Sequence, residues 1–270
     1  MARRWPPQVA PEVARRRTAF FAVVSVLLIA GSLSPMLDRD LAAAPRAAAQ
    51  ARLVPITDTQ GCRLRLGQST FALTVGLAMA MTDQAGRDQN AAVPVSSTAS
   101  AVARLWPAQA GSATLIAAAL RGQGGTALAC VARLQPADVQ SMASDGLTLR
   151  ANTMWDAIKK TFGPLPAGGF MPGGVRSGHV PGSAHYEGRA IDFFYRPVTR
   201  KTIEHGVVLA QWLVAHAQAL QIANVIFDAQ IWSADTSQTL QWQPYSYPDG
   251  PTTNVTLLHF DHVHVDVQRG

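Results

Sequence analysis

The segment His262-Val263-His264-Val265-Asp266-Val267 alternates polar and apolar residues without a break. A period of two belongs to an extended strand, whose successive side chains point to opposite faces. The three valines are therefore expected to face a core, while His262, His264 and Asp266 share the other wall. Just upstream, His259-Phe260-Asp261 adds another imidazole and another carboxylate.

A second window, Ser183 to Asp192, holds the matching chemistry. Ala190-Ile191-Asp192-Phe193-Phe194-Tyr195 has the β-branched and aromatic content of a buried strand, and Gly182 and Gly188 mark tight backbone on either side of His185. This reading puts His185 on a loop and Asp192 on a strand. A single histidine is usually a surface or core residue. Here His185, His259, His262 and His264 fall into two short windows with Asp192 and Asp261, in a chain with only two cysteines. Those ligand types favour zinc over calcium or an iron–sulfur centre. One histidine and one carboxylate from the first window and a histidine from the second make three protein ligands, which leaves the fourth position of a tetrahedral ion for water.

The pattern Ser-x-His-x-x-Gly-x-Ala-x-Asp is met by Ser183, His185, Gly188, Ala190 and Asp192, and Asp-His-x-His follows at Asp261 to His264. The pair resembles the motifs of zinc D-Ala-D-Ala carboxypeptidases and related peptidoglycan endopeptidases, the group sharing a fold with the hedgehog signalling domain. It is especially like the actinobacterial extracytoplasmic members. The resemblance spans about residues 150 to 270 and implies an α+β fold with a mainly antiparallel sheet and flanking helices. It also implies a Zn2+ ion on His185, Asp192 and His264, and hydrolysis of peptide bonds in the stem peptides or crosslinks of peptidoglycan. Many carboxypeptidases of the group carry a glutamate base at the position of Asp261, and other members use the first histidine of the His-x-His pair, here His262. Both are candidate catalytic residues. Adjacent strand residues face opposite ways, so His262 is expected to turn toward the metal and Asp261 to orient a histidine or fix the start of the strand. Gly174-Val175-Arg176-Ser177 resembles a Gly-Tyr-Arg-Ser segment whose arginine contacts substrate; Arg176 and Ser183 are the substrate-binding candidates. The alternatives are a zinc-containing wall-binding or signalling module without turnover, and a zinc peptidase for another extracellular peptide.

The net charge of +6 does not describe a basic surface. Residues 1–50 contain seven arginines against three acids, so +4 belongs there and +2 to the remainder, and nucleic acid is not an expected partner. Arg15-Arg16-Arg17 precede an apolar run from Thr18 to about Leu33. That order keeps the positive flank in the cytoplasm and sends the following chain outward. Residues 1–37 are read as a cytoplasmic tip and signal anchor, in preference to a signal cleaved near Ala42-Ala43-Ala44 or Ala47-Ala48-Ala49. Residues 38–55, alanine-rich and broken by Pro45 and Pro55, read as a linker.

Residues 56–149 are expected to form a small, mostly helical domain, in which Cys62 and Cys130 pair as a disulfide if the chain is exported. Phe71 to Met81 and Ala113 to Leu120 suggest buried helices separated by a polar segment from Thr82 to Ser100. The catalytic domain is read as residues 150–270. It has a helix through Trp155 and Ile158, and a Gly- and Pro-rich loop from Gly163 to Gly174 without the Gly-Lys-Ser/Thr of a phosphate cradle. A helix from Ile203 to Leu220 and a buried strand from Ile222 to Phe227 follow. Trp232, Trp242 and Tyr245 either line a groove for peptide or sugar or belong to the core.

Overall fold

A computed structural model of the chain describes residues 61–269. The expected membrane segment, linker and arginine-rich tip lie outside the described residues; among those described, no helix is long and apolar enough to cross a membrane.

Strand β1, Gly61–Leu66, turns at Gly67, whose φ of 57° suits glycine, and returns as β2, Ser69–Thr74. Thr74 ends the strand and caps helix α1, Val75–Asn90, by accepting from the Leu77 backbone N–H. The expected helix over Phe71 to Met81 is thus strand for its first four residues. The segment Thr82 to Ser100 is not a polar separator either: α1 occupies it as far as Asn90, and α2, Val95–Leu105, begins within it. Its polar groups satisfy one another. Asp88 accepts from Thr98 and Gln84, and Arg121 donates to Thr98. Helix α3, Ala113–Leu120, matches its expected bounds, and β3, Leu128–Cys130, completes an antiparallel sheet in the order β2-β1-β3.

Helix α4, Leu149–Phe162, is capped by Thr148 and buries Ala151, Met154, Ile158 and Phe162 along one stripe. It crosses α1 closely: a Cβ on Gly86 would lie 2.8 Å from the Phe162 ring. The Gly/Pro-rich stretch after it carries a two-residue strand, β4, Ala167–Gly168. Next come β5, Ala190–Phe194, helix α5, Arg200–Ala215, the short α6, Ala217–Leu220, and β6, Ile222–Phe227. Then β7, Gln230–Ser233, β8, Gln243–Pro244, and β9, His262–Val267, give a six-stranded antiparallel sheet in the order β4-β5-β9-β6-β7-β8. The architecture is α+β, with antiparallel sheets and flanking helices.

The domain boundary expected at residue 150 does not coincide with a break in the core. Leu64, Met81, Ile116, Leu128, Met154, Trp212, Phe227 and Val265 belong to one buried cluster, and the described residues lie in a single compact unit. Gln211 of α5, fully buried, shows the join. Its Oε1 accepts from the Ala127 and Leu128 N–H groups, and its Nε2 donates to the Ala119 carbonyl.

Cys62 and Cys130 face each other across β1 and β3 and are bonded, 68 positions apart in sequence. Closing a loop of that size removes about 4 kcal/mol of unfolded-chain entropy in the chain-entropy model. Replacing both cysteines by alanine is expected to lower unfolding stability by about 2–5 kcal/mol. Denaturant midpoints of the two proteins check it, and an unchanged midpoint would assign the bond no stabilising role.

Candidate metal centre

Strand β9 alternates as its sequence demands. Val263, Val265 and Val267 are fully buried against the helices, and His262, His264 and Asp266 occupy the other face. The antiparallel register sets Asp192 of β5 directly across from His264 and Asn224 of β6 across from Asp266. His185 comes from a 3-10 turn, Ala184–Glu187, opened by Ser183, whose Oγ accepts from the His185 N–H at 3.4 Å, and closed by left-handed Gly188.

These elements bring three donor atoms to one point. His185 Nε2 lies 3.1 Å from His264 Nδ1 and 3.3 Å from Asp192 Oδ1, and His264 Nδ1 lies 3.1 Å from that oxygen. All three residues are buried. The hydrogen-bond partners behind them fix which nitrogens face inward. The Gly169 carbonyl can only accept, so His185 Nδ1 carries the hydrogen, at 2.7 Å, and Nε2 presents a lone pair. His264 Nε2 faces Asp266 Oδ2 at 3.4 Å, leaving Nδ1 to point at the trio. Asp266 is itself held by the Asn224 amide at 3.1 and 3.2 Å. Carboxylate and carbonyl partners behind imidazoles are how metal-binding histidines are oriented. Two imidazole nitrogens and a carboxylate oxygen converge at this spacing, and the group could hold a metal ion.

Gly169 permits the approach. Its φ is 78°, and a Cβ there would lie 2.4 Å from His185 Cε1 and 3.0 Å from Asp192 Oδ2. His179 stacks on the other side of His185, with ring centroids 3.9 Å apart, and its backbone is clamped by the Tyr186 hydroxyl.

Beside the trio stands a second pair. Asp261 Oδ1 accepts from His262 Nδ1 at 2.8 Å, and its Oδ2 accepts from Arg196 Nε at 2.8 Å and Thr256 Oγ1 at 2.9 Å. With Nδ1 so engaged, His262 turns Nε2 toward the trio, 3.7 Å from Asp192 Oδ1. His259, in the left-handed region at φ 56°, places its ring 4.6 Å from that of His262, with a buried Nδ1 that has no hydrogen-bond partner. Tyr245 packs edge-on against it.

Electrostatics follow from this crowding. Burial opposes the Asp192 carboxylate, but the imidazoles of His185 and His264 packed against it hold its pKa well below the usual range. Burial likewise opposes the Asp261 carboxylate, and His262, Thr256 and Arg196 nonetheless hold it down to about 2. Burial pushes His259 down to about 3, and the neighbouring imidazoles add to it. Burial also works against a charged His264, yet Asp192 and Asp266 raise it to about 9. A metal ion must displace that proton. Apparent affinity is therefore expected to climb about tenfold per pH unit up to pH ~9 and then flatten. In chelator-treated protein the same shift acts on stability with the opposite trend. A raised imidazole contributes fully below its unfolded pKa of about 6.5, and its contribution is lost as pH rises through about 9. Metal competition titrations and thermal melts across pH 6–10 read the two trends.

Of the residues singled out in the sequence, His185, Asp192, His264, Asp261 and His262 are brought together. Ser183 caps the turn that presents His185. Arg176 is exposed and joins none of the site's hydrogen bonds. Trp232 is core, its Nε1 donating to the Cys130 carbonyl, while Trp242 is half-buried and donates to that of Leu128. Gly169, His179 and Arg196 were not singled out: no local pattern marks a glycine that must admit an imidazole, or an arginine that reaches a carboxylate 65 residues away.

Residues 143–256, under half of the chain, match the model of the VldE C-terminal domain. That stretch includes His185 and Asp192 and stops before Asp261, His262 and His264. No curated protein and no solved structure matches the chain.

Proposed function

We propose that the protein is a zinc-dependent hydrolase of peptide bonds in peptidoglycan, of the carboxypeptidase or endopeptidase type, acting outside the cytoplasm. The observation that carries this reading is the trio's geometry next to the His262–Asp261 pair. Donors about 2.0–2.1 Å from a tetrahedral ion are spaced about 3.3 Å apart. The three distances here are 3.1, 3.1 and 3.3 Å, and two nitrogens with one carboxylate oxygen are zinc's ligand types. The antiparallel sheet carrying both motifs is what the resemblance to the zinc D-Ala-D-Ala carboxypeptidase group implies, and a disulfide suits an exported protein.

When bound, zinc polarises the scissile carbonyl and lowers the pKa of water to about 7. The chain's own residues do the rest. His262 Nε2 faces the reacting centre and takes the proton of the attacking water, later returning it to the leaving amine. Asp261 holds the Nδ1–H, fixing the tautomer that leaves Nε2 free and stabilising the imidazolium as it forms. Arg196 and Thr256 keep Asp261 ionised and aimed. A module that merely held zinc would not need this second pair. Thr199-capped α5 and the valine face of β9 keep the sheet rigid beneath the site.

Zinc-loaded protein incubated with purified peptidoglycan is expected to release D-alanine or peptide fragments identifiable by mass spectrometry, and to stop doing so when zinc is chelated. Retention on intact peptidoglycan without release would identify a binding module. Cleavage confined to other extracellular peptides would move the substrate elsewhere.

A further inference from the structure

The solvent face of the first sheet carries a feature that the metal centre does not use. Cys62 and Leu64 take the core side of β1, so Arg63 and Arg65 rise together from the other side. Their neighbours are short. Ala72 and Ala129 flank Arg63, and Thr70 sits beside Arg65. With Thr126, Ala129, Gln230 and Trp242, the two arginines line a cavity of about 90 Å³ that contains no acidic residue. Among the described residues, neither guanidinium has an ion pair or side-chain hydrogen bond. Elsewhere in this fold Arg150 is taken up by the Gln268 carbonyl and Gln221, Arg189 by Glu187 and Arg196 by Asp261, whereas among the described residues Arg104, Arg133 and Arg176 share the unpaired state of Arg63 and Arg65 but line no common cavity with them.

The walls are fixed before any ligand arrives. Trp242 Nε1 donates to the Leu128 carbonyl at 2.9 Å, Thr126 bonds Gln230, and buried Gln211 holds the Ala127 and Leu128 N–H groups. The Cys62–Cys130 bond locks β1 to β3 one residue from Arg63 and Ala129. Gln230 pairs with Phe227, whereas Ile226, its neighbour on β6, pairs with His264. Strand alternation therefore puts the cavity on the side of the sheet turned away from the metal centre.

We propose that this cavity is an oxyanion site for a phosphate group. Side chains two apart on a strand stand about 7 Å apart, a span that lets two guanidinium forks address one tetrahedral anion. At about 10–15 Å³ per water-sized group on this measure, the cavity of about 90 Å³ admits about six to nine such groups, enough for the five heavy atoms of phosphate. The alanine floor and fixed Trp242 leave the arginines as the only charged groups an entering anion meets. A phosphodiester-bearing polymer held there would leave the metal face open. This site does not depend on the hydrolase reading.

The full-length chain is titrated by calorimetry at low salt with inorganic phosphate and, separately, with poly(glycerol phosphate). The expected result is one phosphate per chain, at least tenfold weaker in the double variant Arg63→Gln/Arg65→Gln and unchanged in His264→Ala, in which the metal is lost. If the double variant folds poorly by its thermal midpoint, Arg65→Gln alone, at an exposed position, is expected to weaken binding at least threefold. Binding of both ligands assigns the site to polymer-borne phosphate; binding of inorganic phosphate alone assigns it to the free ion. No binding by the wild type, full affinity in the arginine variants, or loss of binding in His264→Ala overturns the proposal.

Discussion

Replacing His264 by alanine is expected to abolish tight metal binding. The residue supplies one of three protein donors, and its Nδ1 lies 3.1 Å from both of the others. Removing it leaves His185 Nε2 and Asp192 Oδ1 facing a gap at the centre of the sheet, with Asp266 no longer orienting anything. Loss of an outer partner costs about 10–100-fold in metal affinity. Asp266→Ala is expected in that range, and His264→Ala well beyond it. Metal analysis after dialysis against a weak chelator orders the two variants, and thermal melts give an independent reading. Metal at 100 times its Kd adds about 2.7 kcal/mol of stability, which the alanine variant should not gain. Full metal occupancy in His264→Ala would remove this residue from the site.

The second large effect concerns turnover rather than metal. His262→Ala is expected to retain the ion, since its Nε2 stands outside the trio, and to lose about 10²–10⁴-fold in peptidoglycan hydrolysis, the range of a positioned acid–base group. In the proposed reaction Asp261 acts only through His262 Nδ1, to which it is hydrogen-bonded. Asp261→Asn should therefore move the acid limb of the pH–rate profile, because a neutral amide no longer stabilises the imidazolium. The result that reverses the assignment is near-normal turnover in His262→Ala together with a loss of at least about a hundredfold in Asp261→Asn. In that case the carboxylate is the base and the imidazole its support.

The sheet that carries the site was legible because its pattern is local. The alternation in β9 fixes which three side chains share a wall whatever surrounds it, and the glycines around His185 announce a turn. Asp261 and His262, adjacent in sequence, were read as facing opposite ways, and the hydrogen bond between them at 2.8 Å shows the carboxylate reaching back to orient its neighbour. What was not legible depends on distant partners. Thr82, Asp88 and Thr98 look like loop residues in sequence, yet all three are buried: Thr82 donates to the Ala78 carbonyl of its own helix, and Asp88 accepts from Thr98, which accepts from Arg121. A boundary was expected at residue 150, where the resemblance begins, but Gln211 and the packing of α1 on α4 and α5 run the core across it. Polar residues inside a core read as exposed until their partners are known.

Strand β9 is the last of the described strands in sequence, yet it lies between β5 and β6. A growing or emerging chain that has reached residue 261 has therefore laid down both neighbours with an open slot between them. Their facing edges are unpaired, and Asp192 and His185 look into that slot without a second imidazole. Inserting β9 closes the ladder on both sides and delivers His262 and His264 in the same movement. Completion of the sheet and assembly of the donor set are one event. A chain truncated before residue 262 lacks one of the three donors, so the trio is complete only where β9 is paired between β5 and β6.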